Sequence, residues 1–316
     1  MTYPIRPYEI EYYDPDYDPD FLPTDTKNIP HVWYLSDPTM PNGYCCSAIA
    51  GIEGLQVMMQ TIPLLDGTAV PNIYIPQTGT IGIAILVGRP PGGSSLDYMN
   101  LLDRVVRAFY NRRNGVPKPG TLFIKRPDGN KRQIQVFTTS GLNTPEVGKN
   151  DYSIFSLSLS TPDPFWSDIV VSFYTFRVSL GVSAGILPLL PVSLDTIYTI
   201  GNTQPITING DMPSYPTWII TGPGTPTMSN ITTDRSWGLN TAIPAGQQVQ
   251  VTTAPGKQGV LNLTTKVNWW GNLVFSGPHD LWPLVSGDNQ IEVSVPDGTA
   301  GATSVQISYY NKWARA

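Results

Sequence analysis

Apolar positions alternate over short runs through most of the chain, and Gly, Pro, Asn or Asp breaks each run. The period of two predicts strands at residues 31–35 (HVWYL), 43–49, 56–61, 120–125, 132–137 and 154–160. Residues 79–87 (GTIGIAILV) are apolar on both sides, which predicts a strand covered on both faces. One stretch keeps a period of 3.6. Over 94–114, Leu96, Met99, Leu102, Val106 and Phe109 recur at helical spacing, with Ser94 placed to cap and Asp97 three residues on. Gly115 and Pro117 stop that helix. The turn Pro127-Asp128-Gly129 makes 120–125 and 132–137 a hairpin.

Residues 1–30 have a different pattern. Acid, aromatic and proline alternate (YEIEYYDPDYDPDF), and each residue before a proline is pushed to extended geometry. The reading is an extended arm whose Tyr8, Tyr12, Tyr13 and Tyr17 anchor on a neighbouring subunit, against the plainer alternative of a solvated tail. Strand character resumes after 169. Residues 181–191, rich in Pro and Gly, read as an inter-domain connection. Residues 209–222 (NGDMPSYPTWIITG) then deliver the chain from a polar turn into an apolar strand and open a second domain. Short runs follow with turns about every eight to twelve residues, which predicts a sandwich. The division is an arm at 1–30, a β-domain with the helix at 31–180, the connection, and a sandwich at 192–316.

Composition sharpens this picture. At 316 residues the chain is long enough for two cores. Only 14% of it is charged, which suggests a surface partly covered by partners. Residues 1–27 hold seven of the 24 acidic and two of the 19 basic residues, so the rest balances at 17 each and the net charge of −5 belongs to the arm. Neither part suits phosphate, which disfavours sequence-specific nucleic-acid binding. No apolar run approaches membrane-spanning length, so no membrane insertion is expected. The first residues lack the basic and apolar regions of a secretory signal, and adjacent Cys45 and Cys46 suit a reducing compartment, so synthesis in a cytoplasm is expected.

Candidate chemistry is sparse. His31 and His279 are the two histidines, each beside a proline or in a turn, where an ordinary hydrogen-bonded role outweighs catalysis. No clustered metal ligands, phosphate loop or singled-out carboxylate pair occurs, so no cofactor, metal site or enzymatic activity is expected. Asp14-Pro15-Asp16-Tyr17-Asp18 lacks the glycine and closing Glu of an EF-hand loop. Trp269 and Trp270 form the candidate carbohydrate platform, although in a strand one indole would face inward.

An ordered set of short motifs carries a resemblance. It comprises Ile52-Glu53-Gly54-Leu55, Asp66-Gly67-Thr68, the apolar strand, the helix, Pro127-Asp128-Gly129 and Asp163-Pro164-Phe165-Trp166. Further on come Asn209-Gly210-Asp211 with Tyr215-Pro216, Gly222-Pro223, Leu284 with Gly287 and Asn289, and a closing YYNKW ending at Trp313. From Tyr44 to Trp313 the chain resembles the distal tail proteins (siphophage-type tail components) of long-tailed bacteriophages; residues 1–30 have no counterpart. The resemblance implies a mainly β fold. Its first part is a tail-tube-like β-sandwich or barrel domain with one α-helix, and its second a galectin-like β-sandwich. It implies a structural virion protein: a hub forming a hexameric ring at the end of the tail tube. The ring would join that tube to tail-tip or baseplate proteins, with the tape measure protein a further partner. Location at the virion tail tip follows, after assembly in the host cytoplasm. The alternative is an adsorption module that recognises host cell-wall glycan through the second sandwich.

Overall fold

The computed structural model describes residues 8–16, 31–52, 57–63, 69–76, 78–113, 115–143, 152–177, 203–276 and 281–316, with 57–63, 69–76, 112 and 113 as backbone. The chain is mainly β, with one α-helix among the described residues. It divides into two compact units, Met1–Ile169 with Trp313–Ala316, and Val170–Lys312. The expected connection at 181–191, the turn at 66–68, Tyr17 and His279 lie outside the described residues.

The first unit contains β1 (Glu9–Tyr13), β2 (Val32–Tyr34), β3 (Tyr44–Ala50), β4 (Val57–Pro63), β5 (Ala69–Pro76), β6 (Gly79–Gly88) and α1 (Ser95–Phe109). Then come β7 (Arg112–Arg113), β8 (Val116–Pro117), β9 (Gly120–Lys125), β10 (Lys131–Ser140), β11 (Tyr152–Thr161) and β12 (Trp166–Asp168). Seven strands pair in the order β2-β1-β9-β10-β11-β6-β3. Leu35 N–H continues the β1–β2 ladder to Ile10 O, and Cys46 N–H donates to Leu35 O at 2.7 Å, so the two ends of this sheet meet. Alternate residues fill one core: Ile10 and Tyr12, Ile81 through Val87 at every second position, Leu122 and Ile124, Ile134 and Val136, Phe155 through Leu159. β4 and β5 form a separate hairpin.

Helix α1 starts where its cap predicts. Asp97 N–H donates to Ser94 Oγ, while Ser94 N–H and the Ser94 hydroxyl donate to Asp97 Oδ2, and these last two bonds hold the Asp97 carboxyl below the usual carboxylate range. The helix ends at Phe109, five residues short of the expected 114, because Tyr110 turns extended and Arg112–Arg113 pair with Val116–Pro117. Its buried stripe is also corrected. Tyr98, Leu101, Leu102, Val105, Ala108 and Phe109 face the core, while Leu96 and Met99 are exposed. Both lines obey i, i+3, i+4 spacing, and only the wall of strands beneath decides between them.

Residues assigned to a separate arm form part of this wall. In β1, Ile10 and Tyr12 point inward, and the strand lies between β2 and β9 in full antiparallel register. The outward acids find bases across the ladder, Glu9 with Lys125 (3.0 Å) and Glu11 with Lys131 (2.5 Å). The unit also holds the last residues of the chain. Trp313 Nε1–H donates to Asp168 (2.8 Å), and the Arg132 guanidinium stacks 3.9 Å from the Trp313 ring centroid. Arg132 Nη1 donates to Arg315 O (2.7 Å), and Ala316 N–H donates to Ile52 O.

The second unit contains β13 (Ser172–Arg177), β14 (Gln204–Ile208), β15 (Thr217–Thr221), β16 (Thr227–Asn230), β17 (Arg235–Leu239), β18 (Gln248–Thr252), β19 (Gly259–Asn262), β20 (Leu273–Ser276), β21 (Gly287–Ser294) and β22 (Ser304–Tyr309). They make two five-stranded antiparallel sheets, β13-β22-β15-β18-β19 and β14-β21-β16-β17-β20, which share one core. β13 falls in the half expected to close the first domain, yet it pairs along its length with β22. Strand patterning names no partner, so sequence could not place it.

Trp218, Trp237 and Trp282 are fully buried at the centre, with Trp218 edge-to-face on the other two at 5.7 and 5.6 Å. None of their indole N–H groups has a hydrogen-bond partner, and the perpendicular rings offer π-faces as weak acceptors. The turn motifs are structural. Gly210 lies where a Cβ would overlap the Lys312 carbonyl oxygen. Asn289 is fully buried; it accepts from Val285 N–H (2.9 Å) and donates to Val285 O (2.8 Å) and Gly287 O (3.1 Å), pinning the turn before β21.

Candidate interaction surface

The structure separates the four arm tyrosines. Tyr12 is completely buried in its own unit, stacked on Phe109 at 4.1 Å and 12°. Its hydroxyl donates to Ala108 O (3.2 Å) and accepts from Asn111 Nδ2 (3.3 Å). Tyr12 therefore anchors β1 to helix α1 of the same chain, and in this arrangement a neighbour has no access to it. Tyr13 lies half-buried 4.2 Å from the Phe123 ring, and Tyr8 packs partly buried against the same core. The strict alternation of Glu9, Ile10, Glu11 and Tyr12 was the signal for a strand with one buried face.

After β1 the chain makes a polar cluster. Asp14 Oδ2 pairs with His31 Nδ1 at 2.9 Å, and Oδ1 accepts the Asp16 N–H at 2.9 Å. Asp14 N–H also donates to His31 O, so the pair fastens both ends of the segment joining β1 to β2. One ligand atom from each of Asp14, Asp16 and His31 lies within 4.8 Å of the others. Both Asp14 oxygens already serve the protein, which accounts for the cluster as a clasp.

Trp269 packs half-buried against the second core, whereas Trp270 is 45% exposed in a short 3₁₀ turn, Trp270–Asn272. Trp270 N–H donates to Asn268 Oδ1 (2.8 Å), and the Asn268 backbone bridges to Leu261 on the edge strand β19. Beside them, on the outer face of the same sheet, lies a depression of about 330 Å³ lined by Gln250, Thr252, Gly259, Val260, Leu261 and Asn268. Sequence reading found the tryptophans but missed these residues, since Gln and Thr alternating along a strand look like any solvated face.

Large apolar side chains stay exposed on both units. On the first they include Leu96 (68%), Val116 and Tyr152, with Ile154, which is opposite Leu86 in the β11–β6 ladder. β6 is apolar on both faces as expected, but its buried side chains are Ile81, Ile83, Ile85 and Val87, all on one face; Gly82, Ala84 and Leu86 are half-exposed. On the second unit Val170 (75%), Val171 and Phe173 (67%) lie along the edge strand β13 or just before it. Among the described residues no helix is long and apolar enough to cross a membrane.

No protein-family model matches the sequence, and no curated protein matches it significantly. Solved structures do. The crystal structure of the SPP1 Dit (gp 19.1) protein, described as a paradigm of the hub adsorption apparatus in Gram-positive-infecting phages, aligns over 86% of this chain and 94% of its own. The TM-score is 0.57 and the identity 10%. The phage P2 baseplate in its activated conformation with Ca aligns over 95% and 97% at 12% identity, with a TM-score of 0.46. The strontium form of the p2 baseplate gives the same TM-score at 13% identity. The strands, the capped helix and the two-sheet second unit thus make up, across most of this chain, the fold of the SPP1 Dit protein.

Proposed function

We propose that this chain is a structural hub component of a long-tailed phage, located at the tail tip. The observation that carries the reading is the SPP1 Dit likeness, which spans 94% of that chain and is therefore not confined to one common sandwich. Copies of the first unit assemble into a ring, with six copies the expected number, at the end of the tail tube. The second unit is the galectin-like part of the hub. The tail tube protein, tail-tip or baseplate proteins and the tape measure protein are the partners, and the role is architectural, without catalysis.

Surface chemistry supports this reading. The half-exposed outer face of β6 and exposed Leu96, Met99 and Ile154 give the first unit apolar area that a monomer leaves wet. Assembly covers such area, and a low charge density reduces the desolvation cost of doing so. Native mass spectrometry and electron microscopy of the purified protein test the proposal, together with cryo-electron microscopy of virions. Rings at the distal end of the tail are expected. A protein that stays monomeric in solution and is absent from virions would refute the hub assignment.

A further inference from the structure

We propose that the depression between β18 and β19 is a binding site for a neutral saccharide. In β18, Val249 and Val251 are buried, so Gln250 and Thr252 point outward; in β19, buried Val260 leaves Gly259 and Leu261 outward. The ladder sets Gln250 opposite Leu261 and Thr252 opposite Gly259. Asn268 closes the rim by bridging to Leu261 beyond the edge strand. The volume of about 330 Å³ is at the small end of the range ligand pockets occupy.

Three features select the ligand class. No ionisable side chain lines the depression, so charge is not what it recognises. Among the described residues, the Gln250 amide and the Thr252 hydroxyl have no partner in the protein, and the Asn268 amide is engaged only through Oδ1. Amides and hydroxyls that both donate and accept match the hydroxyl groups of a sugar. Leu261 (38% exposed), which lines the depression, supplies apolar surface of the kind that the C–H face of a sugar ring needs.

Gly259 is the second, independent observation. A Cβ built there meets nothing within 4 Å, and the residue lacks the positive φ that would call for glycine. The backbone would accept another residue, and what glycine leaves open at this position is the depression itself. On the outer face of this sheet the lateral row of Gln250 runs through apolar Ile219 to the uncharged amide of Gln306, and the row of Thr252 runs through Thr217 to Ser308. An oligosaccharide longer than one unit would therefore have further hydroxyl partners along these rows.

The test uses the full-length protein on a printed array of neutral hexose, deoxyhexose and N-acetylhexosamine oligosaccharides, with sialylated and uronic-acid glycans alongside. Neutral glycans should be retained and acidic ones not. Gly259→Val should abolish retention by filling the depression. Gln250→Ala and Leu261→Ala should each weaken it by about tenfold, the effect of one lost polar or apolar contact. Ile231→Ala, at an exposed position elsewhere on the unit, should leave it unchanged, and near-ultraviolet circular dichroism should show every variant folded. Failure to retain any neutral glycan, preference for acidic glycans, or retention unaltered by both Gly259→Val and Gln250→Ala would each overturn the assignment. Sugar binding is compatible with either outcome of the ring experiment, so the two proposals fail separately.

Discussion

Replacing Trp313 near the C-terminus should loosen the N-terminal unit. Trp313 stacks under a guanidinium that is itself 3% exposed, at 3.9 Å from the ring centroid, and donates to Asp168 at 2.8 Å. A desolvated cation–π contact contributes about 2 kcal/mol. A hydrogen bond to a charged group contributes about 1.5–3 kcal/mol. The two share the clasp and do not add, so Trp313→Ala should cost roughly 2–4 kcal/mol. Hydrogen exchange by mass spectrometry on the full chain separates this from a general loss of stability. Protection should fall in β10 and β12, whose residues contact Trp313, and remain in β15 and β18 of the second unit. Trp218→Ala is the converse control, with a loss of about 3–5 kcal/mol confined to the second unit. If Trp313→Ala leaves β10 exchange unchanged, or β15 opens equally, the clasp is not what fastens the first unit.

Three further outcomes follow from the same packing. Tyr12→Ala removes a fully buried ring stacked on Phe109 and should cost about 3–5 kcal/mol, while Tyr12→Phe, losing only the hydroxyl contacts, should cost about 1 kcal/mol in urea denaturation. Asn289→Ala strips the donors and acceptors that satisfy Val285 and Gly287 in a fully buried turn, and should lower stability by about 2–4 kcal/mol with the loss read in the second unit. Burial pushes the Asp297 carboxyl up, but donation from Thr225 N–H and hydroxyl outweighs it and holds the carboxyl below the usual range. Its stabilising contribution is therefore present above about pH 3.9, the unfolded value, and lost as pH falls through the folded one. A carboxyl-detected NMR titration should find Asp297 depressed, and Thr225→Val should return it toward the ordinary value.

Local chemistry in the sequence determined the elements. The Ser94–Asp97 capping box, the Pro127-Asp128-Gly129 hairpin and the alternation of residues 154–160 each depend on neighbours a few residues away, so a linear reading finds them. The two-sheet character of the second unit was legible for the same reason. Partners across the fold were not. Nothing in β13 names β22, and nothing in Trp313 names Arg132 and Asp168, because those contacts join residues more than a hundred positions apart. The arm reading failed at Tyr12 for this reason: its alternation said strand, but only the Phe109 ring and the groove between β2 and β9 made it an inner one. The candidate sugar site shows the same limit. Trp270 stands out in a sequence, whereas Gln250, Gly259 and Asn268 gain meaning only when a ladder and an edge bridge bring them around one hollow. Periodicity sets which side of a strand is buried; which strands meet is set by burying those sides together, and that is a property of the whole chain.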